Sequence, residues 1–205
     1  LQARPYDDAT VVLFAGKSHT SDDEARPTVF VTNGLLPPEI PRRRFLGQPW
    51  AKRAFDTPTY GGFAKLPIGD FRLEAGLFFI RRDYHTFYAD ILTGVTPDGK
   101  VASRSMIADG GNVDQSLSGE ARLVYGWGSG RLHHSVTLGL RGRHKQRLFG
   151  GSQTLLLGPS SAISEDFRPA PAFTIGAKSH DDVRQMTYGL AYNLFWKGGV
   201  NFDAS

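Results

Sequence analysis

The sequence predicts an all-β protein built as an antiparallel up-and-down meander, and three observations lead to that prediction. Its 205 residues include 24 glycines and 12 prolines, and 12% of them are aromatic, which favours strands joined by turns. Several segments alternate apolar and polar residues with a period of two, as strands do. The connections between these segments run alternately long and short, which is typical of a series of hairpins.

About seven strands are predicted along the chain. They cover residues 8–17, 57–66, 71–92, 115–127, 131–149 and 182–196, and a last one follows residue 199. Short turns at 67–70, 128–130 and 197–199 join neighbouring antiparallel strands, and long polar segments at 18–57, 93–114 and 150–180 separate the hairpins. We therefore expect every short turn at one end of a single, sequentially paired sheet and every long loop at the other end.

The segment 131–149 shows the alternation most clearly and is also unusually long. Strands in globular proteins mostly have about five or six residues, and this one is roughly three times as long. Its even-numbered residues from 132 to 140 are apolar apart from one histidine. We call them the apolar phase; the odd-numbered residues form the other phase, which becomes strongly basic towards its end. The apolar phase of this strand and of 184–196 supplies the residues that we predict to face lipid: Leu132, Val136, Leu138, Leu140, Leu190 and Leu194.

Two architectures suit an apolar face opposite a charged one. A soluble β-sandwich or jelly-roll binding module would bury the apolar face, but its loops would be of mixed length at both ends. A transmembrane β-barrel would turn the apolar face to lipid, needs strands of only about 9–11 residues, and has short turns at one end and long loops at the other. The loop pattern favours a transmembrane barrel and leaves the soluble module as the alternative.

Aromatic residues stand beside the short turns. Tyr125 and Trp127 precede "GSG", and Tyr192 and Trp196 precede "KGG". Membrane barrels carry girdles of aromatic residues where their strands leave the bilayer. We predict that these four side chains form the girdle at the short-turn end.

The basic phase supplies the candidate ligand site. Arg141, Arg143 and Lys145 share a phase, and the hairpin register places Arg122 and Glu120 on the same face. In a barrel these cations line the lumen, where they either attract an anionic ligand or pair with carboxylates of a plug or of adjacent strands. Both interpretations stay open at this point.

Other functions find little support in the sequence. There is no cysteine, which excludes disulfides and thiolate metal sites. No nucleophile elbow, phosphate-binding loop or zinc-protease motif is present, so we expect neither an enzyme nor a cofactor. His133 and His134 point to opposite faces of a strand, so we expect no metal site there. The net charge is only +4, and the predicted strands place aromatics opposite the cations, so we expect no nucleic-acid partner.

Two stretches, "KLPIGDFRLEAGLFFIRRDYHTFYADI" (65–91) and "DDVRQMTYGLAYNLFWKGGVNFDAS" (181–205), resemble the barrel of TonB-dependent outer-membrane receptors. The resemblance extends over most of the chain and rests on the strand pattern. It implies a 22-stranded barrel in the bacterial outer membrane, closed by a plug, which imports ferric siderophores or similar nutrients with energy from TonB. The expected partners are TonB, outer-membrane lipid and a small ligand such as a ferric chelate. Residues 1–205 would then form a partial barrel domain without the plug and the remaining strands.

Overall fold

A computed structural model describes residues 2–5, 8–40, 43–197 and 200–204. Its elements are β1 (Gln2–Ala3), β2 (Thr10–Asp22), β3 (Thr28–Val31), β4 (Arg53–Ile68), β5 (Phe71–Val95), β6 (Lys100–Asp109), β7 (Val113–Ser129), β8 (Leu132–Phe149), β9 (Gln153–Ser161), β10 (Ser179–Trp196) and β11 (Val200–Ala204). Within these residues no helix is long and apolar enough to cross a membrane.

The main sheet follows the order of the chain. Its strands lie in the sequence β1-β2-β4-β5-β7-β8-β10-β11, and each neighbouring pair is antiparallel. The predicted all-β antiparallel meander is therefore confirmed. No crossover separates β7 from β10, because β8 pairs with both.

Tight turns join the predicted hairpins. β4 and β5 are separated by Gly69 and Asp70, and β7 and β8 by Gly130 and Arg131. Both glycines have positive φ values, 59° and 62°, which a residue with a Cβ adopts only at a cost. Residues 198 and 199 of the third predicted turn lie outside the described part of the chain.

The predicted strand count was too low, because three of the segments predicted as loops contain strands. β3 lies within 18–57 and pairs with β5 in parallel, while β6 and β9 lie within 93–114 and 150–180 and pair with each other. β6 also pairs with β5 beyond the end of the main hairpins. Together with the neighbouring loop segments, these strands and the second half of β5 form what we call the loop-end layer. β1 is a further short strand that was not predicted.

A bulge divides β5 into two parts. Tyr84 pairs with Phe55 and Thr86 with Ala54, which leaves His85 as the extra residue. One extra residue reverses the facing of every residue after it. After the bulge, the even-numbered Asp90 and Leu92 therefore lie on the face that the odd-numbered residues of β5 occupy before it.

The buried core lies in the loop-end layer and not in the main sheet. Leu92, Val95, Val101 and Ala162 form a buried cluster against which Val31 packs. In contrast, no residue of β7, β8 or β10, all of which the structure describes, is buried. The main sheet is thus a single layer with both faces open.

Candidate ligand-facing and membrane-facing surfaces

The strand register sorts the side chains of the main sheet into two faces. We call the face that carries Leu138 of β8 the apolar face and the one that carries Arg141 the polar face. Leu138 pairs with Leu123 and Leu190, and Arg141 pairs with Glu120 and Thr187, so the sorting extends to both neighbouring strands. The register of β5, β4 and β2 assigns their side chains to the same two faces.

Two of the four predicted lumen cations converge on one carboxylate. Arg141 donates from Nη2 to Glu120 Oε2 at 2.8 Å and from Nε to the same oxygen at 3.1 Å. Arg122 forms an ion pair with the other carboxylate oxygen of Glu120. These two guanidinium groups and the carboxylate lie together on the polar face, as the hairpin register predicts.

A second carboxylate binds the basic residues nearer the loop end. Lys145 Nζ lies 3.3 Å from Asp114 Oδ2, and Arg147 Nε lies 3.6 Å from the same oxygen. Further towards the turns, Arg72 Nε lies 3.0 Å from Glu74 Oε1. The polar face therefore carries ion pairs both within strands and between neighbouring strands.

Arg143 is the exception among the predicted cations. It is exposed, and it has no hydrogen bond or ion pair with any residue that the structure describes. Its neighbours in the register are Ser118 and Gln185, neither of which carries a charge. A guanidinium group with free donors and no competing carboxylate is suited to bind an anion.

Aromatic side chains also lie on the polar face, contrary to the sequence-based expectation. The rings of Phe14 and Phe78 are 5.8 Å apart there. Near the loop end, Arg82 lies 5.1 Å from the centroid of the Phe55 ring, and Arg147 lies 4.9 Å from that of Phe149. The expectation failed because it considered the three strands β7, β8 and β10, whereas these rings come mainly from β2, β4 and β5.

All six predicted lipid-facing residues lie on the apolar face. Leu138 and Leu190 are the most exposed of them, at 54% and 63%. Across the sheet, Leu77, Met186 and Tyr188 are also exposed by more than half. Monomeric soluble proteins rarely expose an apolar surface that is continuous across so many strands.

The four predicted girdle aromatics also lie on the apolar face, at its turn end. Tyr125 and Trp127 stack with ring centroids 5.5 Å apart, and Trp127 lies 6.4 Å from Tyr192. His134 stacks on Trp127 at 5.1 Å and shares a 2.7 Å hydrogen bond with the Tyr192 hydroxyl. Trp196 pairs with Leu132 at the edge of the same group.

The loop-end layer contains a buried ion pair that the sequence analysis missed. Arg104 of β6 is fully buried and donates from Nε to Asp90 Oδ1 at 2.9 Å, with a second, very short contact to the other carboxylate oxygen. Arg104 also donates to the carbonyl oxygens of Leu46 at 2.8 Å and Asp166 at 3.0 Å. One guanidinium group thus joins β5, β6 and two loops.

A second set of bonds holds the same two loops together. Gln48 donates from Nε2 to the carbonyl of Asp166 at 2.7 Å and accepts the Arg168 backbone N–H at 2.8 Å. Trp50 Nε1 donates to the carbonyl of Arg168, also at 2.8 Å. The Arg168 guanidinium beside Asp166, helped by the Ser160 hydroxyl, holds the pKa of that carboxyl below its usual range. The long loops are therefore tied together by specific contacts.

Beyond the bulge, the side of the loop-end layer that continues the polar face carries an apolar patch. By the register, Phe30, Ile91, Ile107 and Leu156 lie on this side of the loop-end layer. Phe30 is 54% exposed and Leu156 is 78% exposed. No signal in the sequence could have placed them there, because their facing depends on the bulge at His85.

No protein-family model matches the sequence, and no curated protein matches it either. Among solved structures, the chain is similar to the crystal structure of BauA, the ferric preacinetobactin receptor from Acinetobacter baumannii, with a TM-score of 0.76 and 15% identity. The similarity covers 93% of this chain and 29% of that receptor. The chain thus shares its fold with part of a siderophore receptor.

Proposed function

We propose that the chain is a segment of the transmembrane β-barrel of a bacterial outer-membrane receptor that imports a scarce nutrient such as a ferric siderophore. The observation that carries the proposal is the single sheet with an exposed apolar face, a polar opposite face and no buried residue in β7, β8 or β10. Such a sheet is stable only if lipid covers one face and other parts of the receptor cover the other.

The height of the apolar face fits a bilayer. Along β10, its apolar residues run from Met186 to Trp196, which is about 33 Å at roughly 3.3 Å per residue. At a barrel tilt of about 40° this length spans about 25 Å of membrane, the height of the apolar band in outer-membrane barrels. The aromatic group around Trp127 then lies at the interface on the turn side.

The soluble alternative is not favoured by the fold. In a sandwich or jelly roll, Leu138 and Leu190 would pack against a second sheet. In the described part of the chain both side chains are more than half exposed, and the main sheet has no sheet stacked on it.

In this proposal the polar face lines the lumen and the loop-end layer lies outside the cell. An anionic ferric chelate would be attracted by the cations of the polar face, among which Arg143 has no partner in the described part of the chain. Transport would be energised by TonB through a plug, as the resemblance of the strand pattern to this receptor class implies. The fold similarity to a ferric preacinetobactin receptor supports this substrate class.

The test places an arginine on each face of β8 in the complete protein. Leu138→Arg would put a charge on the lipid face at a cost of roughly 2–4 kcal/mol near the bilayer midplane, so we expect impaired membrane assembly. Thr137→Arg, on the adjacent residue and the opposite face, should assemble normally. Heat-modifiable gel mobility measures the folded fraction.

Arg141→Ser completes this test, because it removes a charge from the polar face. We expect normal assembly and altered uptake of an iron chelate. Normal folding of the Leu138→Arg variant together with collapse of the Arg141→Ser variant would reverse the two faces and exclude the barrel.

A further inference from the structure

A groove crosses the apolar face near its loop-side border. Its floor follows one row of the register, formed by Leu13, Gly62, Leu77, Gly119, Gly142 and Met186. The open space above this row and the next one is about 1260 Å³. Ala75 and Ala121 continue the floor towards the turn end, so small residues make the groove across several strands.

The groove is partly closed at one side and open at the other. Leu13 Cδ2 lies 2.6 Å from where a Cβ at Gly62 would stand, and Leu77 Cδ1 lies 3.0 Å from the corresponding point at Gly119. At Gly142 the nearest atom is the Gln185 carbonyl oxygen, at 4.0 Å. The space above Gly142 is therefore available to another molecule.

The loop-side border of the groove is polar. His144 and Arg184 both line it and are neighbours in the register. Arg184 is 77% exposed and uses its Nε to contact Asp182 Oδ1 at 3.2 Å, while its two Nη groups have no partner among the described residues. The other Asp182 oxygen lies 2.9 Å from His144 Nε2 and accepts a hydrogen bond of the same length from Gln146.

We propose that this groove binds a lipid with a net anionic, phosphate-bearing head group, with an acyl chain over Gly142 and the phosphate on the Nη groups of Arg184. The proposal rests on the membrane orientation proposed above and deepens it. An apolar channel with a guanidinium group at one border matches an amphiphile that has an apolar chain and an anionic head. Asp182 divides its two oxygens among Arg184, His144 and Gln146 and contacts only the Nε of Arg184, so both Nη groups can donate to the phosphate.

The experiment measures lipid retained by the complete protein in dodecyl maltoside, by native mass spectrometry, during titration with phosphatidylglycerol and with phosphatidylcholine. Gly142→Leu should weaken binding of both lipids by about tenfold, which corresponds to roughly two methylene groups losing their contact. Gly189→Leu is the matched control, because it makes the same change on the opposite face at another glycine with open space. It should bind lipid as the unaltered protein does.

The head group is tested separately. Arg184→Gln should abolish the preference for phosphatidylglycerol over phosphatidylcholine, and Arg72→Gln, on the polar face, should preserve it. Equal binding by the Gly142→Leu and Gly189→Leu variants, in protein that folds into membranes, would overturn the lipid site alone. Failure of the unaltered protein to fold into membranes would overturn the proposed function and the lipid site with it.

Discussion

Arg143 and Arg122 have the same chemistry on the same face of the sheet, yet their surroundings differ. Arg122 is held by Glu120, which also binds Arg141, whereas Arg143 stands between the uncharged Ser118 and Gln185. An ion pair fixes a guanidinium group and uses its donors. Only the unpaired group can offer all of its donors to a ligand.

If the chain takes part in transport as proposed, this difference predicts unequal effects on uptake. Arg143→Gln should raise the apparent KM for uptake of an anionic iron chelate about two- to fivefold, the effect of roughly 0.5–1 kcal/mol from an exposed charge. Arg122→Gln should change the KM less, because its donors are already engaged by Glu120. Radioactive iron uptake at a series of chelate concentrations provides the measurement, and equal KM values for the two variants would contradict it.

At the scale of residues, much of the candidate site follows from the period of two. That period assigns Leu138 and Arg141 to opposite faces, and the tight turn at Gly130 fixes which residue of β7 each one meets. That Arg143 has no ionic partner among the described residues could not be predicted in the same way. It depends on Gln185 of β10, which reaches β8 only after a connection that the sequence presents as a long loop.

At the scale of elements, the loop-end layer is where the sequence was least informative. β6 carries Val101, Met106 and Ala108 as buried residues, but Arg104 interrupts the apolar pattern at a position that is itself fully buried. An arginine among the inward-facing residues of a strand makes its sequence pattern resemble that of an exposed polar segment. Its partner Asp90 lies in another strand beyond a bulge, so neither residue predicts the other.

The buried pair of Asp90 and Arg104 predicts a large effect on the stability of this layer. Arg104→Met leaves the carboxylate buried without its partner, at a cost of about 3–5 kcal/mol, so the loops should become open to protease at low concentration. Adding Asp90→Leu to that variant should restore much of the resistance. Lys100→Gln on the same strand, where the side chain is 83% exposed, is the control and should have no effect.

The contact between Asp166 and Arg168 predicts how the layer responds to acid. The pKa of Asp166 is lower in the folded layer than its ordinary value of about 3.9. Its contribution to stability is therefore complete above that value and is lost as the pH falls through the folded pKa. Protease susceptibility of the 159–168 segment should rise as the pH falls below about 4.

Asp166→Asn provides the comparison for this acid response. It should be more susceptible at neutral pH and respond less to acid. An unchanged acid response in that variant would assign the effect to another group.

At the scale of the whole molecule, the alternation of long and short connections was enough to predict the order of the main sheet. A tight turn can join its two strands only as an antiparallel hairpin. Hairpins that follow one another along the chain give the observed strand order from β2 to β11. The same rule says nothing about strands inside the long connections. β3, β6 and β9 pair over distances that no local signal determines.

The bulge at His85 divides the long strand β5 into two parts that differ in which residues face which side. The first part belongs to the main sheet with its apolar and polar faces, and the second belongs to the loop-end layer; we call these the first and second phases. Deleting or inserting a residue at the bulge should therefore affect the structure of β5 more than substituting one. Deleting His85 would advance the second phase by one residue and turn Asp90 and Leu92 out of the layer, while the first phase stays in register. We expect the deletion variant to keep its heat-modifiable mobility and to lose protease resistance at the loops.

His85→Ala keeps the residue count and should retain both properties. Loss of membrane assembly in the deletion variant would mean that the two phases are not separable. If they are, and the chain has the proposed receptor function, the bulge separates the part of the sheet that the bilayer would constrain from the part that would be free to diverge with the ligand. Barrels of this fold could then exchange whole loop-end layers at this position without altering their membrane-spanning strands.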